Sequence, residues 1–275
     1  MRIFLAGGSG VIGSRLIPVL TEAGHQVTAT TRRVTNIDYL SDRGARPVVV
    51  DVYDAPALTA AVAEAAPDLV LHELTDLSDF DTEANARLRR AGTANLVAAT
   101  ASAGVERMIV QSIAWAYEDG RAPAVEDDPI QAGSPIEAME GVVRRLPRST
   151  VLRYGMLYGP GTWYAPGARM ANAVTAGLIP ATRAITSFVH VDDVVAATVQ
   201  AIDWPDGSYN IVDDEPAPAT EWLPVYAAGL GAPAPAIADL PVGAPLGRGA
   251  SNKKARAAGW MPTYQTWRAG FPRYE

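Results

Sequence analysis

The chain of 275 residues carries 23 Lys and Arg against 30 Asp and Glu, a net charge of −7, and 48% of its residues are hydrophobic. This balance excludes wholesale disorder and fibrous repeats, and the acidic charge argues against nucleic acid as a partner. The absence of cysteine excludes a disulfide framework, a thiolate metal site and a cysteine nucleophile. The lack of cysteine also fits a reducing cytoplasm, where we expect the protein to be located. The glycine-interrupted N-terminus is not typical of a signal peptide, and without an 18-residue apolar stretch we expect no membrane span.

Short apolar runs alternate with helical patterns over the first 155 residues. Runs suited to strands buried on both faces occupy residues 2–6, 26–31, 47–50, 69–72, 107–112 and 149–154. Helical patterns lie between them at about 11–23, 55–65, 83–103 and 135–146. The alternation predicts the α/β class, with a Rossmann-type doubly wound parallel sheet.

The chain changes character towards its C-terminus, where ten of the 21 prolines fall between Pro205 and Pro272. Loops with short helices, for example at 219–229 and 251–258, are expected there. Residues 187–203 are typical of a strand, a cap at Asp192 and a helix. We therefore predict a dinucleotide-binding part over 1–160, to which 187–203 returns, and a smaller substrate part over 161–186 and 204–275.

A glycine-rich turn, GGSGVIG at residues 7–13, joins the first strand to the first helix. It fits both Gly7-x-x-Gly10-x-x-Gly13 and Gly8-x-Gly10-x-x-Gly13. Glycines let the backbone approach a pyrophosphate closely, while the helix amides face the anion. The turn predicts a dinucleotide site, with a merely structural turn as the alternative. The expected contacts are Gly7, Ser9, Gly10, Val11, Ile12 and Gly13.

The end of the second strand bears on the choice of cofactor. An NAD site would place an acid there to hold the ribose diol, but this chain has Thr31 followed by Arg32 and Arg33. A guanidinium can pair with a 2′-phosphate and stack on adenine. The sequence therefore predicts NADP, with NADPH preferred over NADH; two solvated arginines are the alternative. After the third strand, Asp51 and Val52 are predicted near adenine, unless Asp51 is only a loop acid.

Together with the glycine turn, the segments DVYDAPAL, AGTANLVAATASAGVERMIVQS, VLRYGMLYGPGT and FVHVDDVVAATVQAI resemble the extended short-chain dehydrogenase/reductase family, whose members are often called NAD-dependent epimerase/dehydratases. The resemblance covers nearly the whole chain and is specific for fold and nucleotide binding. It implies NAD(P) on the first half, with further contacts from strand ends at Leu74, Thr75 and Gln111, and a small C-terminal half over the nicotinamide.

The chain departs from that family at the active site, where relatives usually have Ser or Thr and then Tyr-x-x-x-Lys. Its only lysines are Lys253 and Lys254, and no Tyr-x-x-x-Lys occurs. Matching the flanking sequence puts Ala132 and Ile136 at the Tyr and Lys positions. In QSIAWAY the usual hydroxyl position holds Ile113, and Ser112 comes one residue earlier, which would turn its side chain to the other face of a strand.

Several polar groups near predicted strand ends are candidates for the chemistry. Tyr154 is the first candidate proton donor, followed by Tyr117 and Ser112; cofactor shielding is the alternative for Tyr154 and packing for Tyr117. His72 and Glu73 are candidate acids or bases, unless His72 is a satisfied histidine. The loop YGPGTWY predicts a stacking wall, with loop packing as its alternative. The predicted substrate contacts are Glu73, Trp115, Tyr158, Trp163, Tyr164 and His190. A structural role is the alternative for His190, because its segment also caps the next helix.

Three scattered histidines without ligand spacing predict no metal site. The function these residues indicate is an NADP-dependent oxidoreductase acting on a small organic carbonyl, imine or conjugated substrate. A non-redox isomerase, lyase or cyclase and a non-catalytic NADP(H) sensor remain alternatives. Relatives often form dimers through two helices. A homodimer through residues 83–103 and 135–146 is therefore a possible assembly of this protein.

Overall fold

The structure, a computed structural model, describes residues 1–77 and 81–271. Over these described residues, the chain divides into two compact units. The first comprises Met1–Ser112, Gln131–Leu152 and Thr198–Ser208, and the second comprises Ile113–Ile130, Arg153–Ala197 and Tyr209–Glu275. This division differs from the predicted one, because residues 113–130, 153–160 and 187–197 belong to the second unit and 204–208 to the first.

The strands of the described ranges are β1 Arg2–Ala6, β2 Gln26–Thr31, β3 Arg46–Val49, β4 Leu69–His72, β5 Arg107–Ile113, β6 Arg148–Tyr154, β7 Met156–Tyr158, β8 Ile185–Thr186, β9 Phe188–His190, β10 Gly207–Ile211 and β11 Ala217–Pro218. Seven form the main sheet in the order β10-β6-β5-β4-β1-β2-β3. Neighbours from β3 to β5 are parallel. The predicted Rossmann-type doubly wound sheet is confirmed, and its first six strands agree with the sequence prediction to within one residue at each end.

The helices are α1 Gly13–Glu22, α2 Ile37–Ser41, α3 Ala55–Ala65, α4 Thr82–Arg87, α5 Thr93–Ser102, α6 Pro135–Val143, α7 Arg169–Thr175, α8 Val191–Gln200, α9 Ala219–Gly229, α10 Lys253–Ala257 and α11 Trp267–Gly270. A π-helical turn over Leu88–Gly92 interrupts the single helix predicted for 83–103. The short α2 has no counterpart among the predicted elements. None of the described helices is long and apolar enough to cross a membrane.

Side-chain caps explain where three helices begin. Asp54, Asp81 and Ser134 each accept a hydrogen bond from a backbone N–H in the first turn of α3, α4 and α6. The predicted cap at Asp192 is wrong, because α8 already begins at Val191. Asp192 lies inside the first turn, where its negative charge still complements the helix dipole.

The second unit is built around an aromatic core. Its buried rings include Tyr158, Tyr164, Phe188, Trp222, Tyr226, Trp267 and Phe271. Two buried carboxylates hold the C-terminal segment within this unit. Asp193 accepts hydrogen bonds from the backbone N–H groups of Thr263 and Tyr264 at 2.7 and 3.0 Å, and Asp213 accepts one from Trp267 at 2.8 Å.

Candidate functional site

The turn between β1 and α1 requires glycine at several positions. Gly7 has φ +97°, and a Cβ there would lie 2.9 Å from the backbone of Glu73. A Cβ on Gly8 would lie 2.7 Å from that of Ala29, and one on Gly13 would collide with the carbonyl oxygen of Gly7. Gly10 is less constrained, because a Cβ there would lie 3.3 Å from the Gly7 oxygen. Both spacings read from the sequence are therefore compatible with the turn.

The same turn leads into the N-terminus of α1, and the first turn of that helix contains no acidic residue. Gly7 and Gly8 donate backbone hydrogen bonds to the hydroxyl and carbonyl oxygens of Thr30, both at 3.1 Å, which anchors the turn on β2. No side chain caps α1. The positive end of the helix and the close-packed glycines fit the pyrophosphate of a dinucleotide. Ser9, Val11 and Ile12 flank this surface, and Val11 is exposed.

At the end of β2, a hydroxyl occupies the place of an acid. The Thr31 Oγ1 accepts hydrogen bonds from the Arg33 N–H at 3.2 Å and from Asn36 Nδ2 at 3.1 Å. The Arg32 side chain is 53% exposed, with a guanidinium nitrogen 3.6 Å from the carboxylate of Asp76. Such an exposed pair contributes little stability, so a phosphate can displace it at small cost. Arg33 is also exposed.

The segment after β3 forms a turn of its own. The Asp51 carboxylate accepts a hydrogen bond from the Tyr53 N–H at 2.9 Å. Val52 is buried, and its carbonyl accepts one from Asn95 Nδ2 at 3.0 Å. This engagement favours the loop-acid alternative for Asp51, while contact of the two residues with adenine stays a prediction.

His72, the last residue of β4, has both ring nitrogens engaged. Its Nε2 lies 2.8 Å from the Thr93 hydroxyl, and its Nδ1 accepts the Leu74 N–H at 3.3 Å. Burial, together with the nearby charge of Arg89, lowers the pKa of His72 to about 4. The imidazole is therefore neutral at physiological pH, which favours the satisfied-histidine alternative over a proton donor.

Further predicted contacts lie at the carboxyl ends of β4 and β5. Gln111 is buried and donates from Nε2 to the Leu74 carbonyl at 3.1 Å. Glu73 is buried beside Gly7, and Thr75 is exposed. Ligands of doubly wound sheets bind beyond these strand ends, so the placement is consistent with the predicted cofactor contacts at Leu74, Thr75 and Gln111.

The Ser112 side chain is hydrogen-bonded to α6. It is fully buried, and its hydroxyl donates to Glu140 Oε1 at 2.8 Å. The other oxygen of that buried carboxylate accepts from Arg144 at 2.7 Å. Ile136, at the position where relatives have Lys, is buried, and Ala132 is exposed. The bond to Glu140 occupies the one proton that the Ser112 hydroxyl can donate, which disfavours Ser112 as a proton donor.

In the second unit, Tyr117 belongs to a buried polar cluster. Its hydroxyl donates to Asn210 Oδ1 at 2.6 Å and accepts from Arg153 at 2.8 Å. Burial raises the pKa of Tyr117, so the phenol stays protonated. These contacts favour the packing alternative. Tyr154, at the end of β6, is also buried, and its role as a proton donor stays a prediction.

The remaining predicted substrate contacts divide by burial. Tyr158 and Tyr164 lie in the aromatic core, which favours the loop-packing alternative for both. His190 stacks on Tyr264 with 3.9 Å between ring centroids, and its Nδ1 accepts the Asp192 N–H at 3.2 Å. Trp163 is half-buried against the core, whereas Trp115 is 51% exposed. Contact of these residues with substrate stays a prediction.

Two charged residues near these strand ends escaped the sequence analysis. Asp76 pairs with Arg32, and Arg89 lies in the π-helical turn beside His72. The adjacent arginines Arg89 and Arg90, in the middle of the helix predicted for 83–103, were the signal that could have found the second. In the described ranges, no group of three or more potential ligand side chains could hold a metal ion.

The fold and the glycine turn define an α/β protein that binds a dinucleotide. The sequence profile of the NAD dependent epimerase/dehydratase family matches residues 3–212, so the chain belongs to that family of NAD(P)-dependent enzymes, the extended short-chain dehydrogenase/reductases.

The chain is similar over its whole length to a 3-diazoavenalumate denitrifying reductase of a Streptomyces species, with 41% identity across 99% of this chain and 100% of the relative. Among solved structures it is similar to the UDP-glucose 4-epimerase of Thermus thermophilus in complex with NAD, with 25% identity, TM-score 0.81 and coverage of 99% and 97%. The Bordetella bronchiseptica enzyme WbmG, in complex with NAD and UDP, has 22% identity, TM-score 0.82 and coverage of 100% and 94%, a likeness that shows the fold alone.

Proposed function

We propose that this protein is an NADPH-dependent reductase that removes a diazo group from a small organic carboxylate. The observation that carries the proposal is the whole-length likeness, at 41% identity, to a reductase whose name specifies a diazo substrate and its denitrification. The proposal falls within the broader expectation of a reductase of small organic molecules.

The chemistry explains why the usual catalytic pair is dispensable. Bound NADPH supplies a hydride. A neutral diazo group becomes the diazonium cation R–N₂⁺ when it takes up one proton from solvent. If hydride then replaces N₂ in that cation, the C–N bond breaks, a C–H bond forms, and N₂ leaves. The electron pair of the hydride cancels the positive charge, so no net proton is needed from the protein. Reduction of a carbonyl instead develops an alkoxide, which needs a proton donor. A chain without Tyr-x-x-x-Lys is suited to the first reaction.

The proposed roles of the residues follow their placement. The glycine turn at Gly7–Gly13 holds the pyrophosphate against the N-terminus of α1, and Arg32 pairs with the 2′-phosphate. Trp115, the exposed ring among the predicted substrate contacts, contributes an apolar surface to substrate. Ser112 and Tyr117 hold structure through their buried hydrogen bonds.

Reduction of a carbonyl, imine or conjugated substrate is the second candidate, because Tyr154 lies at the carboxyl end of β6, where a phenol could protonate a developing oxyanion. Tyr154→Phe separates the two reactions. Diazo removal should keep its rate, whereas carbonyl reduction should lose roughly a hundredfold or more.

The decisive assay supplies purified protein with NADPH and 3-diazoavenalumate. We expect NADPH oxidation and N₂ release in equal amounts, with a product that has lost both diazo nitrogens. Persistence of the diazo substrate, or a reduced product that retains nitrogen, would contradict the proposal.

A further inference from the structure

Arg89 is a partly exposed arginine whose Nε atom is buried. It lies in the π-helical turn Leu88–Gly92, which joins α4 to α5. The Nε atom has no hydrogen-bond partner. Within residues 1–77 and 81–271, the guanidinium forms no ion pair with a carboxylate. Burial lowers the pKa of Arg89 to about 10, which leaves it charged at neutral pH.

This arrangement is costly for the fold alone. The buried Nε–H has lost its hydration and has gained no hydrogen bond in return. A π-helical turn is itself uncommon, and such turns occur frequently at functional sites. Both features are explained if the missing acceptor is an anion of a ligand.

The surroundings place Arg89 beside the ligand-binding edge of the sheet. Thr93, four residues further along the helix, contacts His72 at the carboxyl end of β4, and the charge of Arg89 is felt by that histidine. Ligands of doubly wound sheets bind beyond the carboxyl ends of the strands. Because His72 is neutral, the imidazole adds no second positive charge beside Arg89 at this strand end.

We propose that Arg89 binds the carboxylate of the substrate. The planar guanidinium matches a carboxylate with two parallel hydrogen bonds, which would fix the orientation of the acid relative to the cofactor. The identity of the acid rests on the proposed function. The phosphates of the cofactor are the other anions within the enzyme's chemistry, and the test separates them.

The test compares the NADP⁺-loaded wild-type enzyme with Arg89→Gln, Arg89→Lys and, as a matched control, Arg90→Gln. Arg90 is the exposed neighbour in the same turn. Calorimetry measures the Kd of 3-diazoavenalumate and of its methyl ester, and a separate titration of the cofactor-free protein measures the Kd of NADPH. Arg89→Gln should weaken binding of the acid roughly ten- to a hundredfold, with changes in the Kd of the ester and of NADPH below about threefold. The Kd of the acid for Arg89→Lys should lie between those of the wild type and Arg89→Gln. Arg90→Gln should bind the acid like the wild type.

Four results would overturn the inference. The first two are equal affinity of the wild type for acid and ester, and no binding of either compound. The third is a selective loss of NADPH affinity in Arg89→Gln. The fourth is a melting temperature of ligand-free Arg89→Gln several degrees below that of the wild type, with the preference for acid over ester retained. Acid binding that depends on Arg89 without release of N₂ would support this inference and overturn the proposed function. Release of N₂ with equal use of acid and ester would do the reverse.

Discussion

Arg32 is the residue that we propose sets the preference between the two nicotinamide cofactors. Its side chain is half exposed, a guanidinium nitrogen lies 3.6 Å from the Asp76 carboxylate, and the residue follows a threonine where an acid would select NAD. Arg32→Ala should raise the Kd of NADPH roughly ten- to a hundredfold, the range of a lost charge-assisted hydrogen bond, and change that of NADH below about threefold. Fluorescence titration measures both constants.

Arg43→Ala is the matched control for that experiment. Arg43 packs on the ring of Tyr39, with 3.5 Å from its guanidinium carbon to the ring centroid, and lies away from the glycine turn in sequence. It should leave both constants unchanged. Equal losses of NADPH and NADH affinity in Arg32→Ala would remove the basis for NADP preference.

The proposed role of the glycine turn depends on close approach of its backbone to the cofactor, so adding a single methyl group tests it directly. A Cβ at Gly13 would collide with the Gly7 carbonyl oxygen, and Gly13→Ala should lower the free energy of unfolding by about 1–3 kcal/mol and abolish measurable cofactor binding. Denaturant unfolding and NADPH titration measure the two effects.

Gly141→Ala adds the same methyl group in α6, where a Cβ would meet nothing within 4 Å. Because alanine favours a helix over glycine, this control should stabilise the protein by about 0.5–1 kcal/mol and leave cofactor binding intact. If Gly13→Ala bound NADPH like Gly141→Ala, close backbone approach at the turn would not be required.

The stability of the folded chain should depend on pH through His72. Its pKa is about 4 in the folded state and near 6.5 when unfolded, so between these values the unfolded state binds more protons. Stability is therefore lost as the pH falls from about 6.5 to 4, by roughly 3 kcal/mol from this group. Urea unfolding measures the free energy of unfolding across this pH range. That free energy should change less with pH in His72→Gln than in the wild type. Identical slopes, or a His72 imidazole that titrates near 6.5 by NMR, would contradict the assignment.

Backbone-level features were predictable from the sequence because local patterns determine them. The buried strands of the sheet and the turn at Gly7–Gly13 follow from apolar runs and glycine sterics. Side-chain partners distant in sequence were not predictable: the bond of Ser112 to Glu140 joins residues 28 apart, and that of Tyr117 to Asn210 joins residues 93 apart. The burial of Tyr158 and the π-helical turn at Arg89 likewise depend on tertiary packing, which no short window contains.

The boundaries between the two units were likewise not predictable from local sequence patterns. Residues 113–130 start at the last residue of β5 and carry no pattern that separates them from the Rossmann sequence, yet they belong to the second unit. The homodimer and the cytoplasmic location stay predictions. They require measurements on the intact protein, beginning with its mass in solution.

The most direct measurement of the central claim is the fate of the hydride. With NADPH carrying deuterium at both C4 positions and 3-diazoavenalumate as substrate, each product molecule should contain one deuterium on the carbon that bore the diazo group, with N₂ released. A denitrified product without deuterium, or deuterium in a product that keeps its nitrogen, would contradict replacement of the diazo group by hydride.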